Sequence, residues 1–362
     1  MKLKIAIVGC GKIADGHVGE IQKMDDAEIV AVCDLELLMA EQLARRFGIA
    51  AHYDDLAVML ETHSPDVVHI TTPPQVHLSL AKQAMDAGAH VYVEKPLTMN
   101  LQESEALLAH AVQTGRKVTV GHSFFFDPPA LALRKLVSAG VVGDPVHVES
   151  WFGYNLSGPF GAAMLADASH WVHALPGRLF HNNIDHMLNK VLEFIPDEEP
   201  DVLARAFTRR PERFGDVRDQ LQDELRVDIS GATTTGIGTF SSHTQPVAHF
   251  MRLYGTENIV HVDFNIRTVT VEKGVTLPSA IGRLLPSFGR GWAWHREGWK
   301  NVFSFAGSRF QFFAGMNYLI DAFYTSIRND TDPPIPYWEM RRMSAVLDDV
   351  FEQIRAEGEG TS

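Results

Sequence analysis

Two cysteines in 362 residues, Cys10 and Cys33, are too few to staple a fold, and they point to a reducing compartment. Long apolar runs are also missing. No stretch approaches the roughly 20 residues that a membrane helix needs. The N-terminal run before Gly9 is about five apolar residues, short of the ~7–15 of a secretory signal. Positive charge is scarce: 32 Lys+Arg stand against 45 Asp+Glu, for a net charge of −13. Phosphate contacts need clustered Lys and Arg, so a general nucleic-acid partner is excluded. There is no internal repeat and no low-complexity block, and no metal site is read. What is present, 45% hydrophobic and 21% charged residues, fits a soluble globular chain. At about 150 residues per domain the length suits two domains. The expectation is a cytoplasmic protein with neither a membrane nor a nucleic-acid partner.

The first 120 residues alternate strand and helix. Strands are expected over Lys4 to Val8, Ile29 to Asp34, Asp66 to Thr71, Val91 to Glu94 and Lys117 to Val120. Helices are expected up to about Lys23, over Leu37 to Phe47 with Gly48 as the stop, over Val76 to Ala87 closed by Gly88, and over Leu101 to Thr114. Strands separated by such helices imply βαβ units, a parallel sheet and a doubly wound domain.

Gly9-Cys10-Gly11-Lys12-Ile13-Ala14 sits where a dinucleotide turn belongs, after a strand and opening a helix. Gly9 makes the tight turn, Gly11 admits a pyrophosphate to the backbone, and Ala14 allows close helix–strand packing. Lys12 and Ile13 open the helix whose free N–H groups attract the phosphates. Asp34, 20 residues after Ala14, ends the second strand where an acid binds the ribose 2′-OH. A carboxylate there repels a 2′-phosphate and favours NAD over NADP. Thr72-Pro73 fixes a loop at the carboxyl edge of the third of these strands, with His77 in the next helix either facing the cofactor or covering the sheet edge.

Glu94-Lys95-Pro96 ends the Val91 strand. By itself it fits either a snorkelling lysine before a turn or a ligand-facing cation, since open α/β sheets bind ligands outside the carboxyl ends of their strands. The glycine turn, Asp34 and the Thr72 loop select the second. Lysine suits proton transfer because its pKa shifts readily on desolvation.

Together, Gly9 to Ala14 with His17, Thr72-Pro73 to His77, and Ala87-Gly88-Ala89-His90-Val91 running into Glu94-Lys95-Pro96 resemble the glucose-fructose oxidoreductase / inositol dehydrogenase / rhizopine-catabolism (Gfo/Idh/MocA) family. The resemblance is dense over residues 1–122. It implies an α/β protein with a Rossmann domain at 1–122. It also implies an α+β domain at 123–362 with a large, mostly antiparallel sheet, through which the chain forms a homo-dimer or homo-tetramer. The implied activity is NAD(P)-dependent redox chemistry at a hydroxyl carbon of a sugar, cyclitol or related polyol. Lys95 and Glu94 are placed at the cofactor and substrate. The family's Asp-x-x-x-His pair falls on Asn182 and His186, with asparagine where an acid is usual. His181 and Asp185 form a neighbouring pair in reversed order, so Asp185 stands beside His186 as a further catalytic candidate. Asparagine still donates and accepts hydrogen bonds, but it cannot raise a histidine's basicity as a carboxylate would. Two other classes therefore stay open: an enzyme that oxidises and re-reduces a sugar on bound NAD to permit elimination or hydrolysis, and a non-catalytic NAD- or ligand-binding regulator.

Beyond the join, a helix to about Ala139 and strands over Val146 to Trp151, Thr233 to Ser241, Ala248 to Tyr254, Ile259 to Phe264 and Val269 to Glu272 are expected. His122 and Asp127 border the substrate, and Tyr154, Asn155 and Trp171-Val172-His173 line either a polyol pocket or the core. From Arg283 to Lys300 cations interleave with Trp292, Trp294 and Trp299; a subunit interface or a lid is favoured there over a membrane surface. Helices at 311–328 and 337–356 and a disordered tail at 357–362 complete the chain.

Overall fold

The computed structural model describes residues 2–210, 221–274, 279–307 and 313–359. The chain divides into two compact units, residues 1–123 with 315–348, and residues 124–314 with 349–362.

The first unit is built from β1 (Leu3–Val8), α1 (Lys12–Ile21), β2 (Ala27–Cys33), α2 (Leu37–Phe47), β3 (His52–Tyr53), α3 (Leu56–His63), β4 (Val67–Ile70), α4 (His77–Asp86), β5 (His90–Val93), α5 (Leu101–Thr114) and β6 (Val118–Val120). All strands are parallel, in the order β3-β2-β1-β4-β5-β6. β1 and β4 are the pair at which the order reverses. The crevice beyond their carboxyl ends is where such sheets take ligands. β3 and α3 occupy a stretch to which the sequence alone assigns nothing; Asp55 caps α3 by accepting from the Ala57 and Val58 amides. The near-continuous apolar strands Ile5–Val8 and Val67–Ile70 are fully buried, as a sheet covered on both faces requires.

The second unit begins with α6 (Pro128–Ser138), β7 (Pro145–Gly153), α7 (Pro159–Ala166), the single turn α8 (Arg178–His181) and α9 (Asp185–Leu192). It continues with β8 (Asp201–Phe207), β9 (Glu224–Ser230), β10 (Thr235–Ser241), β11 (His249–Gly255), β12 (Asn258–Asp263), β13 (Thr268–Lys273) and α10 (Ser279–Ala306). Its seven-stranded sheet runs β13-β12-β11-β7-β10-β9-β8. Only β7–β10 is a parallel pair. Gly236 and Gly238 explain the glycine content of β10. A Cβ at Gly238 would stand 2.7 Å from Cε of Met187, and one at Gly236 would overlap Val191. Two missing side chains let α9 lie directly on the sheet. β8 and β9 are a further pair that the sequence alone does not assign. Residues 283–300, read from the sequence as an interface or a lid, lie within the long helix α10.

The last helices, α11 (Ala314–Arg328) and α12 (Tyr337–Glu359), correct in part the sequence expectation, which puts both in the second domain; only the end of α12, from Asp349, belongs there. Residues 315–348 pack with the Rossmann sheet instead. The Tyr324 hydroxyl lies 2.8 Å from Nε2 of His69 in β4, Phe323 meets Tyr92 edge-on, and Ser344 Oγ lies 2.7 Å from Ser104 Oγ. Lys117 Nζ donates to the Ser326 and Thr331 carbonyls and to Asp330. The two helices supply polar and aromatic partners that the interior of the first unit needs, which their distance in sequence conceals. α12 extends through residue 359, so the tail expected to be disordered from 357 starts as helix; residues 360–362, and 311–312 of the other predicted helix, lie outside the described residues.

Tyr324 is 0% exposed and supplies the one partner of His69 Nε2. Removing it strands a buried ring nitrogen, at a cost of about 1–3 kcal/mol. Tyr324→Phe should lower the denaturant midpoint of the first unit's transition by that amount. An unchanged midpoint would detach α11 from this core.

Candidate active site

The glycine turn is fixed by three hydrogen bonds. The Gly9 amide donates to the Cys33 carbonyl (2.8 Å), the Cys10 amide to Asp34 Oδ2 (2.7 Å), and the Thr71 hydroxyl to the Gly9 carbonyl (2.5 Å). Gly9 has φ +92°, and a Cβ there would stand 2.8 Å from the Thr72 amide nitrogen. Both facts demand glycine. Space before Gly11 is open: a Cβ would meet nothing within 4 Å. Gly11 is the N-cap of α1 and no side chain caps that helix, so its first amides keep their donors for a ligand. Lys12 and Ile13 stand exposed in the first turn and Ala14 is fully buried beneath it. Oδ1 of Asp34 accepts from the Glu36 amide at 3.0 Å. Two backbone bonds thus aim the carboxylate, and each oxygen retains a further lone pair. Thr72 Oγ1 is buried beside this turn with no hydrogen-bond partner. Open backbone, an uncapped helix, an aimed carboxylate and an unsatisfied hydroxyl fit a dinucleotide.

Two residues expected to touch the cofactor do something else. His77 is fully buried, with Nε2 2.9 Å from the Thr72 carbonyl and Nδ1 3.0 and 3.2 Å from the Pro96 and Leu97 carbonyls. It ties the Thr72 loop to the Lys95 loop. Burial holds its pKa below the ordinary histidine value although the three carbonyls favour the protonated ring. Glu94 is likewise buried. Its Oε1 lies 2.9 Å from His17 Nε2 and its Oε2 accepts from the Lys95 amide. Burial works to raise its pKa, but the His17 hydrogen bond and charge, with Lys95, hold it below the usual carboxylate value.

His17 continues inward. Its Nδ1 lies 2.8 Å from Nδ1 of His69, whose Nε2 meets Tyr324. The line Tyr324–His69–His17–Glu94 is a buried polar relay ending one residue from Lys95. Glu94 as a carboxylate only accepts, so His17 Nε2 donates, and a single proton lies between the two Nδ1 atoms. Burial, followed by His17, pushes the His69 pKa well below the ordinary value. A histidine spaced eight residues after the first glycine was the only signal in the sequence, and His69 and Tyr324 gave none.

In the second unit Asn182 and His186 are the partly exposed members of the 181–186 segment, while His181 and Asp185 are buried at 1% and 0%. They do not share one regular helix. A turn at Asn182–Ile184 separates α8 from α9, and the His186 amide donates to Asn183 rather than four residues back. Asp185, expected as a catalytic candidate, has no exposed surface. Its Oδ1 accepts from the His186 amide at 2.8 Å and lies 3.8 Å from His186 Nδ1, so it acts behind that ring. Phe124 and Phe152 pack around the His186 imidazole at 4.7 and 5.4 Å between ring centroids. Tyr154 stacks over Phe240, and burial raises its hydroxyl to about 12. His173 bonds the Met164 carbonyl, and Asn155 is exposed in its own turn.

Two residues unseen at the sequence level complete this cluster. Lys190 is 3% exposed, with its ammonium over the Phe124 and Phe264 rings at 4.7 and 4.8 Å and bonded to the His186 carbonyl. Burial lowers its pKa to about 7, opposed by Asp127, Asp185 and Glu193. His249 stacks on Phe264 and touches Phe124 and Phe152 edge-on; burial, then Lys190, depresses its pKa. A lysine four residues after a histidine would have been the clue. Among the described residues no cluster suits a metal ion, and no helix is long and apolar enough to cross a membrane.

Residues 3–122 match the model of an oxidoreductase family with an NAD-binding Rossmann fold, GFO_IDH_MocA. Over 143 residues the chain is 34% identical to D-glucoside 3-dehydrogenase of Escherichia coli (strain K12), 39% of this chain and 41% of the relative. Over 151 residues it is 31% identical to scyllo-inositol 2-dehydrogenase (NAD(+)) of Bacillus subtilis (strain 168), 41% of this chain and 44% of the relative. The chain thus spans less than half the length of these relatives. In fold it resembles the WlbA dehydrogenase of Bordetella pertussis, solved with NADH and UDP-GlcNAcA, at TM-score 0.78 and 17% identity over 98% of this chain and 96% of that one.

The buried lysine has a pH signature. With its folded pKa near 7 and its ordinary value 10.5, the unfolded chain binds a proton between these limits that the folded chain does not. Stability therefore rises with pH across this window. Lys190→Met should remove that slope and stabilise most near pH 7, where the wild type carries the largest penalty. Unfolding free energies of the two proteins measured across the window would run parallel if Lys190 were ordinary.

Proposed function

Since residues 3–122 belong to the Gfo/Idh/MocA oxidoreductase family, we propose that this chain is an NAD-dependent oxidoreductase acting on a hydroxyl carbon of a sugar, cyclitol or related polyol. The observation that carries the proposal is the turn at the β1/β4 switch point, where Gly9, open Gly11, uncapped α1 and Asp34 converge. NAD, when bound, supplies the hydride acceptor or donor. Gly11 and the first amides of α1 would hold the pyrophosphate, and Asp34 the ribose hydroxyls. Lys95 would hold or move the proton at the substrate hydroxyl oxygen. Glu94, fixed by His17, accepts from the Lys95 amide and holds the backbone from which that side chain starts. In the second unit, partly exposed His186 would serve as the titratable group and Asn182 would hydrogen-bond the substrate hydroxyl; buried Asp185 lies 3.8 Å from the His186 ring nitrogen and Lys190 bonds its carbonyl. A small-molecule substrate follows from this reading.

Asparagine at 182 favours one second reading, in which NAD is oxidised and re-reduced within a cycle of elimination or hydrolysis. Cofactor that co-purifies and is not consumed would select it.

Lys95→Ala should cut turnover by ~10²–10⁴-fold while NAD affinity, measured by calorimetry, stays within a fewfold of the wild type. Unchanged turnover would remove Lys95 from the chemistry. Asp34→Ala should instead weaken NAD binding and narrow its advantage over NADP; equal discrimination before and after would sink the cofactor assignment.

A further inference from the structure

α10 is amphipathic in the reverse sense. It is 28 residues long, so about 42 Å, and it packs on β13. The bonds that hold it to the sheet are polar, although Leu285, Pro286, Ala293 and Trp294 also line a cavity against β12 and β13. Glu297 is 5% exposed and accepts from the Val269 amide; Asn301 donates to the Ile266 carbonyl at 2.6 Å; Arg290 pairs with Glu272. On the opposite side Leu284, Phe288, Trp292, Trp299, Val302 and Phe303 lie within an arc of about 100°. Their exposures run from 53% at Val302 to 73% at Trp292. Globular helices turn this stripe inward. Here polar anchors hold the helix down and the apolar stripe points away from its own sheet.

We propose that α10 is an interfacial anchor, which lays this stripe into the headgroup boundary of an anionic lipid surface without crossing it. Charge complementarity chooses the occupant. Residues 279–306 carry Arg283, Arg290, Arg296 and Lys300 against Glu297 of the helix and Glu272 beneath it, a local excess of two positive charges in a chain of net −13. Three of the six tryptophans of the chain lie on this helix. Cations beside Trp, Phe and Leu over 20–30 residues are the composition of helices that lie in the bilayer interface. A second copy pairing through the same helix would set like charges side by side. A lid would need its apolar face turned toward the protein. The sequence shows the mixture of residues but not which face is free, and that free face is what reverses the preference for an interface or lid.

The test is co-sedimentation of the full chain with phosphatidylcholine vesicles, alone or containing about one quarter phosphatidylglycerol. Binding is expected to the anionic vesicles only, and to weaken as salt rises. Phe288→Ser/Trp292→Ser/Phe303→Ser should reduce it about tenfold or more through lost apolar burial. Arg283→Gln/Arg296→Gln should reduce it to a similar degree with the stripe intact. Quenching of wild-type tryptophan fluorescence by brominated lipid gives a readout that needs no variant to fold. Absence of both binding and quenching overturns the proposal. So does binding that ignores lipid charge. A serine variant whose only change is a smaller oligomer, with no vesicle binding by the wild type, assigns the stripe to a second copy.

Discussion

A buried carboxylate organises the first unit. Glu94 lies at the carboxyl end of β5, out of water, and a charge in that position is costly unless every lone pair finds a donor. His17 meets one oxygen and the Lys95 amide the other. His17 must then be oriented, and His69 of β4 does this; His69 must be satisfied in turn, and Tyr324 of α11 does that. One electrostatic debt at the sheet edge therefore fixes α1, β4, β5 and a helix more than 200 residues away. The polypeptide around Lys95 is held by the same logic from the other side, through His77 and the carbonyls of Thr72, Pro96 and Leu97. Lys95 sits between two immobilised neighbours, which suits the proton-holding role proposed for it.

Most of the Rossmann unit was legible because its signals are local. Apolar runs ending in Gly9, Asp34 and Glu94 report strands and their carboxyl ends, and Gly48 stops α2 in the left-handed conformation, with φ 68°. Side-chain direction was not legible. His77 and Glu94 stand in the right loops for cofactor contact, yet both face inward to partners far along the chain. α11 and α12 could not be assigned to a unit from periodicity, since amphipathic spacing tells that a face is buried and not against what. β3 and α3 escaped because short segments carry little periodic signal, whereas β9 alternates Leu225, Val227 and Ile229 with polar residues and carries a strand signal.

In the second unit the departure from the family pattern and the unseen lysine bear on the same histidine. Asn182 removes the negative charge that would stand four residues before His186. Asp185 restores one from behind, at 3.8 Å from Nδ1 but fully buried, and Lys190 offsets it with an ammonium whose pKa burial has brought to about 7. A buried acid thus lies beside the His186 ring and a buried lysine on its backbone carbonyl. The close approach that Gly236 and Gly238 permit seats Met187 and Val191 of the same helix on β10.

The two surfaces of α10 show why the same composition has opposite meanings in different settings. A helix with cations and tryptophans that buried its apolar stripe would be an ordinary member of the core, its arginines solvated. Glu297 prevents that arrangement. It is buried against β13 and shared by Lys300 at 2.5 Å, Arg296 at 3.7 Å and the Val269 amide. Rotating the helix to bury Phe288 and Trp292 would pull this carboxylate from its donors and expose the Asn301–Ile266 bond to competition from water. With polar groups committed to the sheet, the apolar stripe faces away from the sheet on which its helix packs. An exposed apolar surface of this extent is uncommon unless something covers it, and the cations Arg296 and Lys300 on one flank suit an anionic cover.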